Sequence, residues 1–185
     1  MLAEITAELS RKMDHTLELL GEELAAVRTG RASADVLKPV HVDYYGTMTP
    51  LMQLANIATP DSQLITVTPY DPSAAKAIEK AINAANMGLN AIHEGNIIRV
   101  PVPVLTEERR KEMVKHVRKL GEDNKIAIRN LRRDANDRVK KMEKNKEISQ
   151  DEEHHSEQVI QTTTDKHIQR IDEMVKKKEQ DLMKV

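Results

Sequence analysis

Cysteine, tryptophan and phenylalanine are absent from the 185-residue sequence, and three tyrosines are its only large aromatic residues. Without cysteine, the chain has no disulfide, no thiolate metal ligand and no cysteine nucleophile, which is typical of a reducing compartment. The first 14 residues include acidic Glu4 and Glu8 and contain no continuous apolar run. They predict neither a signal peptide nor a transmembrane helix, so we expect a cytoplasmic protein.

An excess of charge of either sign is also lacking, because 29 Lys and Arg stand against 30 Asp and Glu, for a net charge of -1. The chain as a whole therefore has no electrostatic attraction to nucleic acid or membrane, and any basic site must be local. Charged residues nevertheless make up 32% of the sequence, above the ~25% usual for globular proteins. This composition indicates long, solvated helices with aliphatic seams.

Charge density divides the chain into three sections. Residues 31–104 have 11 charged residues in 74 positions, whereas residues 105–185 have 39 in 81. All seven prolines lie between positions 39 and 103, so both flanks are free to form uninterrupted helices. We therefore predict one domain formed by residues 1–30 together with 105–185, interrupted by an inserted domain of residues 31–104.

The two flanks place apolar residues at spacings of three and four, which predicts helices with one apolar face each. The first helix should stop near Gly30, and the second should begin after an N-cap at Thr106 and stop near Asn145. Ser149 and Glu152 form a capping box that should start a third helix. Three such helices predict an elongated bundle whose last two members are antiparallel. Their stripes contain Leu2, Ile5, Leu9, Met13, Leu17, Leu20, Leu24 and Val27; Met113, Val117, Leu120, Ile128, Leu131, Ala135, Val139 and Met142; and Ile160, Ile168, Ile171, Val175 and Leu182.

The inserted section has the shorter patterns of a mixed fold. Apolar residues alternate along 40–45 before a turn at Gly46, which predicts a strand. One helix should start at Asp71 and Pro72 and stop near Gly88. Further strands are predicted at 64–67 and at 97–100, the last in a hairpin with 91–93. The predicted fold class is thus α+β, a three-helix bundle with an inserted small α/β domain.

No catalytic or cofactor motif is present: the sequence has no Walker-type loop, GxGxxG, GxSxG or HExxH. Residues 151–155 are the nearest approach to a metal site, but His154 and His155 point about 100° apart on a helix and cannot share one ion. We predict no enzyme activity, no metal and no cofactor. The isolated histidines are interpreted as neutral surface or interface residues: His41, His93, His116 and His167.

A basic stripe on the second helix is the strongest functional signal. Residues 109–146 hold 15 Lys and Arg against 6 Asp and Glu. Arginine's planar fork suits phosphate, and a helix without aromatics favours the backbone and grooves of folded RNA over stacked single strands. The alternative is an ordinary charged helix surface, partly neutralised by local pairs to Asp134, Asp137 and Glu143. The stripe consists of Lys125, Arg129, Arg132, Arg133, Asn136 and Lys140.

A second signal lies where the chain crosses between the predicted domains. Arg28 and Arg31 flank Gly30 on the way out, and the proline-containing segment 100–104 leads back. Such a pair of linkers would limit rotation of the insert without forbidding it. The alternative is a capped helix end with basic side chains at its negative pole.

Six segments resemble bacterial ribosome recycling factor, in the matching order and over nearly the whole chain. They are RTGRA at 28–32, YYG at 44–46, GLN at 88–90, IRVPVPVLTEERRK at 98–111, RNLRRDAND at 129–137 and KEIS at 146–149. The resemblance implies a three-helix bundle and a hinged α/β domain arranged in an L shape. It also implies a translation factor, a monomer, that splits the post-termination ribosome into subunits with elongation factor G.

The resemblance also implies site residues. Arg129 and Arg132 match the family's contacts to large-subunit ribosomal RNA, and with the rest of the stripe they give a predicted RNA-binding set of Arg129, Arg132, Arg133, Lys125 and Lys140. The predicted hinge consists of Arg28, Thr29, Gly30, Arg31, Val102, Pro103, Val104 and Leu105. Two positions depart from the family pattern, because Ala91 and Val104 stand where proline is common.

From the residue pattern alone, a coiled-coil-like protein-binding scaffold is the alternative function. The two functions differ in their response to salt. Binding through phosphate contacts weakens steeply as salt rises, whereas binding through a mainly apolar helix surface is nearly insensitive to salt.

Overall fold

The computed structural model describes residues 2–184. In chain order its helices and strands are α1 (Leu2–Ala26), β1 (His41–Tyr44), β2 (Thr47–Pro50), α2 (Leu51–Leu54), β3 (Ala55–Asp61), β4 (Leu64–Pro69), α3 (Ala75–Ala84), β5 (Ile92–Glu94), β6 (Ile97–Pro101), α4 (Glu107–Lys144) and α5 (Gln150–Met183). Short 3-10 helices cover Ala34–Leu37 and Pro72–Ala74. The predicted α+β class is confirmed. No helix within residues 2–184 is long and apolar enough to cross a membrane.

The chain forms two compact units. The first contains the chain up to Val27 together with everything from Glu108 onward, and the second is Arg28–Glu107. The first unit is built from α1, α4 and α5, and the second contains all the strands and the shorter helices.

The three long helices have the apolar faces predicted from their spacing. At about 1.5 Å per residue, α1, α4 and α5 are about 38, 57 and 51 Å long. The core of this unit is aliphatic, as the absence of Phe and Trp requires. Its buried apolar side chains are Ile5, Leu9, Met13, Leu17, Leu20 and Leu24 on α1, Val27 just after α1, Val117, Ile128, Ala135 and Val139 on α4, and Ile160, Ile171 and Leu182 on α5.

Glycine at position 121 allows close packing in the middle of α4. Gly121 is buried, and a Cβ atom at this position would lie 2.6 Å from Val175 Cγ2 on α5. Heavy atoms cannot approach so closely, so the side-chain hydrogen of glycine is what lets Val175 fill the seam. The prediction from apolar spacing missed this contact, because glycine has no apolar side chain to count in the stripe.

The turn between α4 and α5 follows the predicted capping chemistry. The Ser149 N–H donates to Glu152 Oε2 at 2.7 Å, and the Glu152 N–H donates to Ser149 Oγ at 3.3 Å, which confirms the capping box. Before it, α4 ends at Lys144, and Lys146 takes a left-handed conformation with φ of 62°. The Glu147 N–H then donates to the Met142 carbonyl at 2.9 Å, which completes a Schellman-type helix end.

The prediction that Gly30 stops the first helix is wrong in detail. Helix α1 already ends at Ala26, four residues earlier. Gly30 lies beyond the helix with φ of 73°, in a conformation that L-residues rarely adopt. Its backbone is therefore set by the crossover and not by helix capping.

The second unit contains two antiparallel sheets. Strands β1 and β2 form a hairpin, and the other strands form a sheet in the order β3-β4-β6-β5. The predicted strands near 40–45, 64–67 and 97–100 and the hairpin with 91–93 are confirmed. Strands β2 and β3 were not predicted, because their outward-facing residues leave little apolar alternation. One apolar core is shared by the hairpin, the sheet and α3.

Helix α3 begins and ends differently from the prediction. Asp71 caps a 3-10 turn at Pro72–Ala74, since its side chain accepts from the Ser73 N–H, and the α-helix starts only at Ala75. The helix ends at Ala84, so Gly88 is not its stop residue. Beyond the helix, the Ala91 N–H donates to Asn83 Oδ1 at 2.8 Å, a bond that a proline at position 91 could not make.

Candidate functional site

The basic stripe of α4 runs along the edge that faces α5, where two of its cations, and Arg118 before them, meet acidic residues. Arg118 Nε lies 2.6 Å from Glu179 Oε1, Lys125 Nζ contacts Asp172 Oδ1, and Lys140 Nζ lies 3.7 Å from Glu157 Oε1. Seven residues forward on α4 correspond to seven residues back on α5, as antiparallel helices require. These ion pairs could have been predicted from the sequence, because the intervals between the three cations along α4 recur, in the opposite direction, between the three acidic residues along α5.

Lys125 is the most deeply paired member of the predicted RNA-binding set. Its side chain is only 15% exposed, and its ammonium contacts Asp172 and lies 3.1 Å from Glu122 Oε1. The bond to Asp172 is the main cause that raises the pKa of Lys125, against a smaller opposing effect of burial. Lys125 is therefore a cation whose charge is already compensated within the bundle.

Arg132 is half-buried at the junction of α4 and α5. Its Nη1 donates to Gln161 Oε1 at 3.3 Å. Its Nε and, one helical turn on, Asn136 Oδ1 are shielded from solvent and have no hydrogen-bond partner among residues 2–184. Arg132 therefore has a partner within the bundle, because the antiparallel register brings Gln161 beside it.

Arg129 and Arg133 are different from their neighbours. Within residues 2–184 neither makes a hydrogen bond or ion pair, although Arg129 is half-buried and Arg133 is exposed. Both lie on the same side of α4, because four residues advance a helix by little more than one turn. These two guanidinium groups are the cations of the stripe that can meet an external anion without breaking an existing pair.

The other side of α4 is neutralised by α1. Arg138 Nη1 lies 2.7 Å from Glu8 Oε2, and Lys12 Nζ lies 2.7 Å from Glu8 Oε1. Lys12 and then Arg138 lower the pKa of Glu8 from 4.5 to about 2, so it is ionised throughout the physiological range. The positive charge of Arg138, on the α1-facing side of α4, is therefore compensated within the bundle.

One of the isolated histidines has a partner that the sequence did not reveal. His167 is buried, with Nδ1 2.7 Å from the Thr163 carbonyl and Nε2 3.0 Å from Asp14 Oδ1 on α1. Arg170 Nη1 approaches the same Asp14 oxygen at 3.4 Å. His167 therefore links α5 to α1 inside the bundle and is not a surface residue.

One acidic residue at the start of α5, Glu152, caps the helix. Within residues 2–184, no group of three or more His, Asp and Glu side chains is arranged to hold a metal ion. Glu152 instead accepts from the Ser149 backbone and hydroxyl, which lowers the pKa of its carboxyl group. His154 faces Glu157, with 4.0 Å between Nδ1 and Oε2.

The two crossover segments are held by the same turn of the second unit. The Ala32 N–H donates to the Ser62 carbonyl at 2.7 Å, and the Val102 N–H donates to the Gln63 carbonyl at 2.8 Å. Ser62 and Gln63 join β3 to β4. Both segments are thus anchored side by side at one end of the sheet.

The crossover residues make two further close contacts within the second unit. A Cβ atom on Gly30 would lie 2.9 Å from Leu105 Cγ, so the outgoing and returning segments touch. Arg28 Nη1 lies 3.4 Å from the position of a Cβ on Gly88, after α3. All eight predicted hinge residues belong to the second unit, Arg28–Glu107.

Comparison with known proteins gives a consistent result. The sequence model of the family described as ribosome recycling factor matches residues 20–183. A ribosome-recycling factor of Staphylococcus saprophyticus is 47% identical over 184 residues, covering 100% of both chains. That of Natranaerobius thermophilus is 51% identical over 178 residues, covering 96% of this chain and 97% of the relative.

Solved structures agree with the sequence relatives. A solution structure of ribosome recycling factor matches with a TM-score of 0.83 and 37% identity, covering 100% of this chain and 98% of the other. A second match comes from models of the T. thermophilus ribosome recycling factor and the E. coli elongation factor G bound to the E. coli post-termination complex. It has a TM-score of 0.68 and 42% identity, and both chains are covered completely.

Proposed function

The chain belongs to the ribosome recycling factor family, and we propose that it binds the post-termination ribosome and, with elongation factor G, splits it into subunits. Its function is ribosome recycling, and the observation that carries this conclusion is the family match over residues 20–183. Membership of a family of translation factors favours a non-enzymatic role, in which any nucleotide hydrolysis takes place on the partner. We further propose a cytoplasmic monomer that needs no cofactor.

The proposed contact with the ribosome is the α5-facing edge of α4, directed at ribosomal RNA. Arg129 and Arg133 lead this contact, because no partner within residues 2–184 compensates their charge. Arg132 can add a contact through the guanidinium nitrogens that remain beside its bond to Gln161. Lys125 and Lys140 contribute mainly to the local potential, since each already has an acidic neighbour on α5. Arginine forks bind phosphate oxygens in pairs, which suits a folded RNA backbone.

Salt dependence of ribosome binding tests this proposal. We expect log K for the wild-type protein to fall linearly with log salt, with a slope of about -0.7 to -0.9 for each phosphate neutralised. Replacement of Arg129 or Arg133 by Ala should make the slope shallower by about one unit each. Glu4→Gln, a change on the exposed face of α1, is a matched control that should leave the slope unchanged. Affinity that does not vary with salt would favour the scaffold function instead.

We propose that the two compact units are domains joined by a hinge. Support comes from the chain crossing twice, once at 27–28 and once at 107–108, where the units divide. The anchors at Ala32 and Val102 hold the crossover segments to the second unit. We therefore expect the chain to bend between these anchors and the helical bundle. The predicted hinge residues 28–31 and 102–105 lie beside this bend. A disulfide between Arg31→Cys and a cysteine introduced in the β3–β4 turn should leave splitting intact, because this part of the crossover is already held to the second unit. Loss of splitting on cross-linking would show that the bend involves the anchored residues themselves.

A further inference from the structure

Two polar atoms on the α5-facing edge of α4 have no hydrogen-bond partner within residues 2–184. Arg132 Nε is a donor and Asn136 Oδ1 is an acceptor, and both are shielded from solvent. Four residues separate Arg132 from Asn136, so the two side chains lie one turn apart on the same face of the helix. We call Arg132 Nε and Asn136 Oδ1 the polar pair.

The polar pair lies at the centre of the edge that α4 presents beside α5. Arg132 Nη1 donates to Gln161 Oε1 at 3.3 Å, and Lys140 Nζ lies 3.7 Å from Glu157 Oε1. Asn136 is one helical turn from both Arg132 and Lys140, so it faces α5 between these two contacts. Its Oδ1 nevertheless accepts no bond from α5 within the described part of the chain.

Unsatisfied polar atoms at this position are unfavourable for folding. A polar atom that loses water without gaining a hydrogen bond costs free energy, and native proteins contain few such atoms. The Arg132 and Asn136 side chains are only half-buried. Rotation about their own side-chain bonds can therefore bring both atoms to the surface of the edge without moving the helix. The polar pair is thus unfavourable in the free protein and available to a ligand at the edge.

The polar pair selects a group that both accepts and donates a hydrogen bond. Arg132 Nε can only donate, and Asn136 Oδ1 can only accept. A backbone phosphate has acceptor oxygens alone, so it would leave Asn136 Oδ1 unsatisfied. The ribose 2′-hydroxyl of RNA is both donor and acceptor, and RNA helices display it in their wide, shallow minor groove. Helix α4 has no aromatic residue to stack on a base, which favours the sugar over the base as the ligand.

We propose that the polar pair binds a ribose 2′-hydroxyl of the RNA at the α4 edge, with Arg132 donating to its oxygen and Asn136 accepting its hydrogen. This inference rests on the proposed function. It adds Asn136 to the RNA-binding residues and divides their roles. Arg129 and Arg133 meet phosphates, which RNA and DNA share, whereas the polar pair recognises the sugar that only RNA has.

Replacement of Asn136 by Leu in the full-length protein tests the proposal. Leucine has nearly the shape of asparagine but cannot accept a hydrogen bond, so ribosome affinity should fall about three- to tenfold. The slope of log K against log salt should not change, because the variant loses no charge. The melting temperature should equal or exceed that of the wild type, since an unsatisfied polar atom gives way to an apolar side chain.

Asn124→Leu is the matched control. Asn124 is also half-buried on α4, but its Nδ2 donates to the Leu120 carbonyl at 2.9 Å and to Glu23 Oε2 on α1 at 3.5 Å. The same substitution there should lower the melting temperature and leave ribosome affinity unchanged. Wild-type ribosome affinity in Asn136→Leu would overturn the proposal. So would a lowered melting temperature, because it would show that Asn136 already has a partner in the free protein.

A competition experiment identifies the group that the polar pair binds. A short RNA duplex, or the same duplex with 2′-O-methyl groups, competes with ribosomes for the protein. The methyl group leaves the 2′ oxygen in place but removes the hydrogen that Asn136 would accept. We expect the unmodified duplex to compete about threefold better for the wild type, and the two duplexes to compete equally for Asn136→Leu.

Two failures of this competition experiment have different meanings. Equal competition by both duplexes for the wild type, including no competition by either, would overturn the assignment of the 2′-hydroxyl. A wild-type protein that fails to bind ribosomes would instead overturn the proposed function.

Discussion

Leu105 closes the space beside Gly30. A Cβ atom at position 30 would lie 2.9 Å from Leu105 Cγ and 3.2 Å from the Leu105 backbone nitrogen, while φ of Gly30 is 73°. Conformation and space thus both require glycine where the two crossover segments touch. A capping role alone would require only the left-handed conformation, which asparagine tolerates.

Substitution of Gly30 by Asn should therefore destabilise the protein, by about 1–3 kcal/mol, because the new Cβ overpacks against Leu105. Leu105→Ala in the same chain should recover part of this loss, since Leu105 Cγ is the nearer contact. Gly30→Pro should be worse, because proline cannot reach a positive φ. Thermal unfolding and subunit splitting are measured on each variant. If the splitting activity of each variant is simply proportional to its folded fraction, Gly30 has no role in a hinge motion.

Arg132→Ala should lower both ribosome affinity and stability, because its guanidinium is half-buried and bonds to Gln161 across the junction of α4 and α5. Arg129→Ala and Arg133→Ala should lower ribosome affinity while changing stability by no more than about 0.5 kcal/mol. Paired measurements of melting temperature and ribosome affinity separate the two groups. An equal melting temperature for all three variants would contradict the structural role of Arg132.

Gly121→Ala should destabilise the bundle, by about 1–2 kcal/mol, although alanine is the better helix former by about 1 kcal/mol. The reason is the 2.6 Å approach of the new Cβ to Val175 Cγ2. Gly21→Ala on α1 is the matched control, because its Cβ would meet only Met174 Cε at 3.7 Å, and it should stabilise. Chemical unfolding of both variants, and of Gly121→Ala with Val175→Ala, measures the coupling. If Gly121→Ala instead stabilises the protein, α4 and α5 can move apart enough to accommodate the new Cβ at little cost.

Glu8 should make the bundle less stable as the pH falls into the acid range. Because Lys12 and Arg138 lower the pKa of Glu8 to about 2, the ionised form is favoured in the folded protein. Its contribution is complete above about pH 4.5 and is lost as the pH falls towards 2. Glu8→Gln should therefore melt below the wild type near neutral pH, and the difference should vanish near pH 2. Glu4→Gln, on the same helix, should show no such trend.

Removal of the second unit tests the division into domains. A deletion variant that joins residue 27 to residue 108 by a short Gly/Ser linker retains all three apolar stripes. Packing of amphipathic faces stabilises such bundles more than helix propensity does, so this variant should have a helical circular dichroism spectrum. It should bind ribosomes without splitting them. A disordered spectrum would contradict the division.

Local patterns in the sequence were sufficient for much of this fold. Spacings of three and four predicted the three long helices, and Ser149 with Glu152 predicted the start of α5, because periodicity and capping involve residues a turn or two apart. Strands β2 and β3 escaped prediction because few of their side chains are buried, so their apolar alternation is weak. The sequence segments also pointed to the family.

Tertiary structure alone decided which members of the predicted sites are available. Lys125, Arg132, Arg129 and Arg133 look equivalent along α4, yet the antiparallel register gives Asp172 to the first and Gln161 to the second. It leaves the last two without a partner among the described residues 2–184. Likewise, the contact of Gly30 with Leu105 joins residues 75 positions apart. Helical spacing depends on neighbours in the chain, whereas pairing and close approach depend on how distant segments pack, which no local pattern contains.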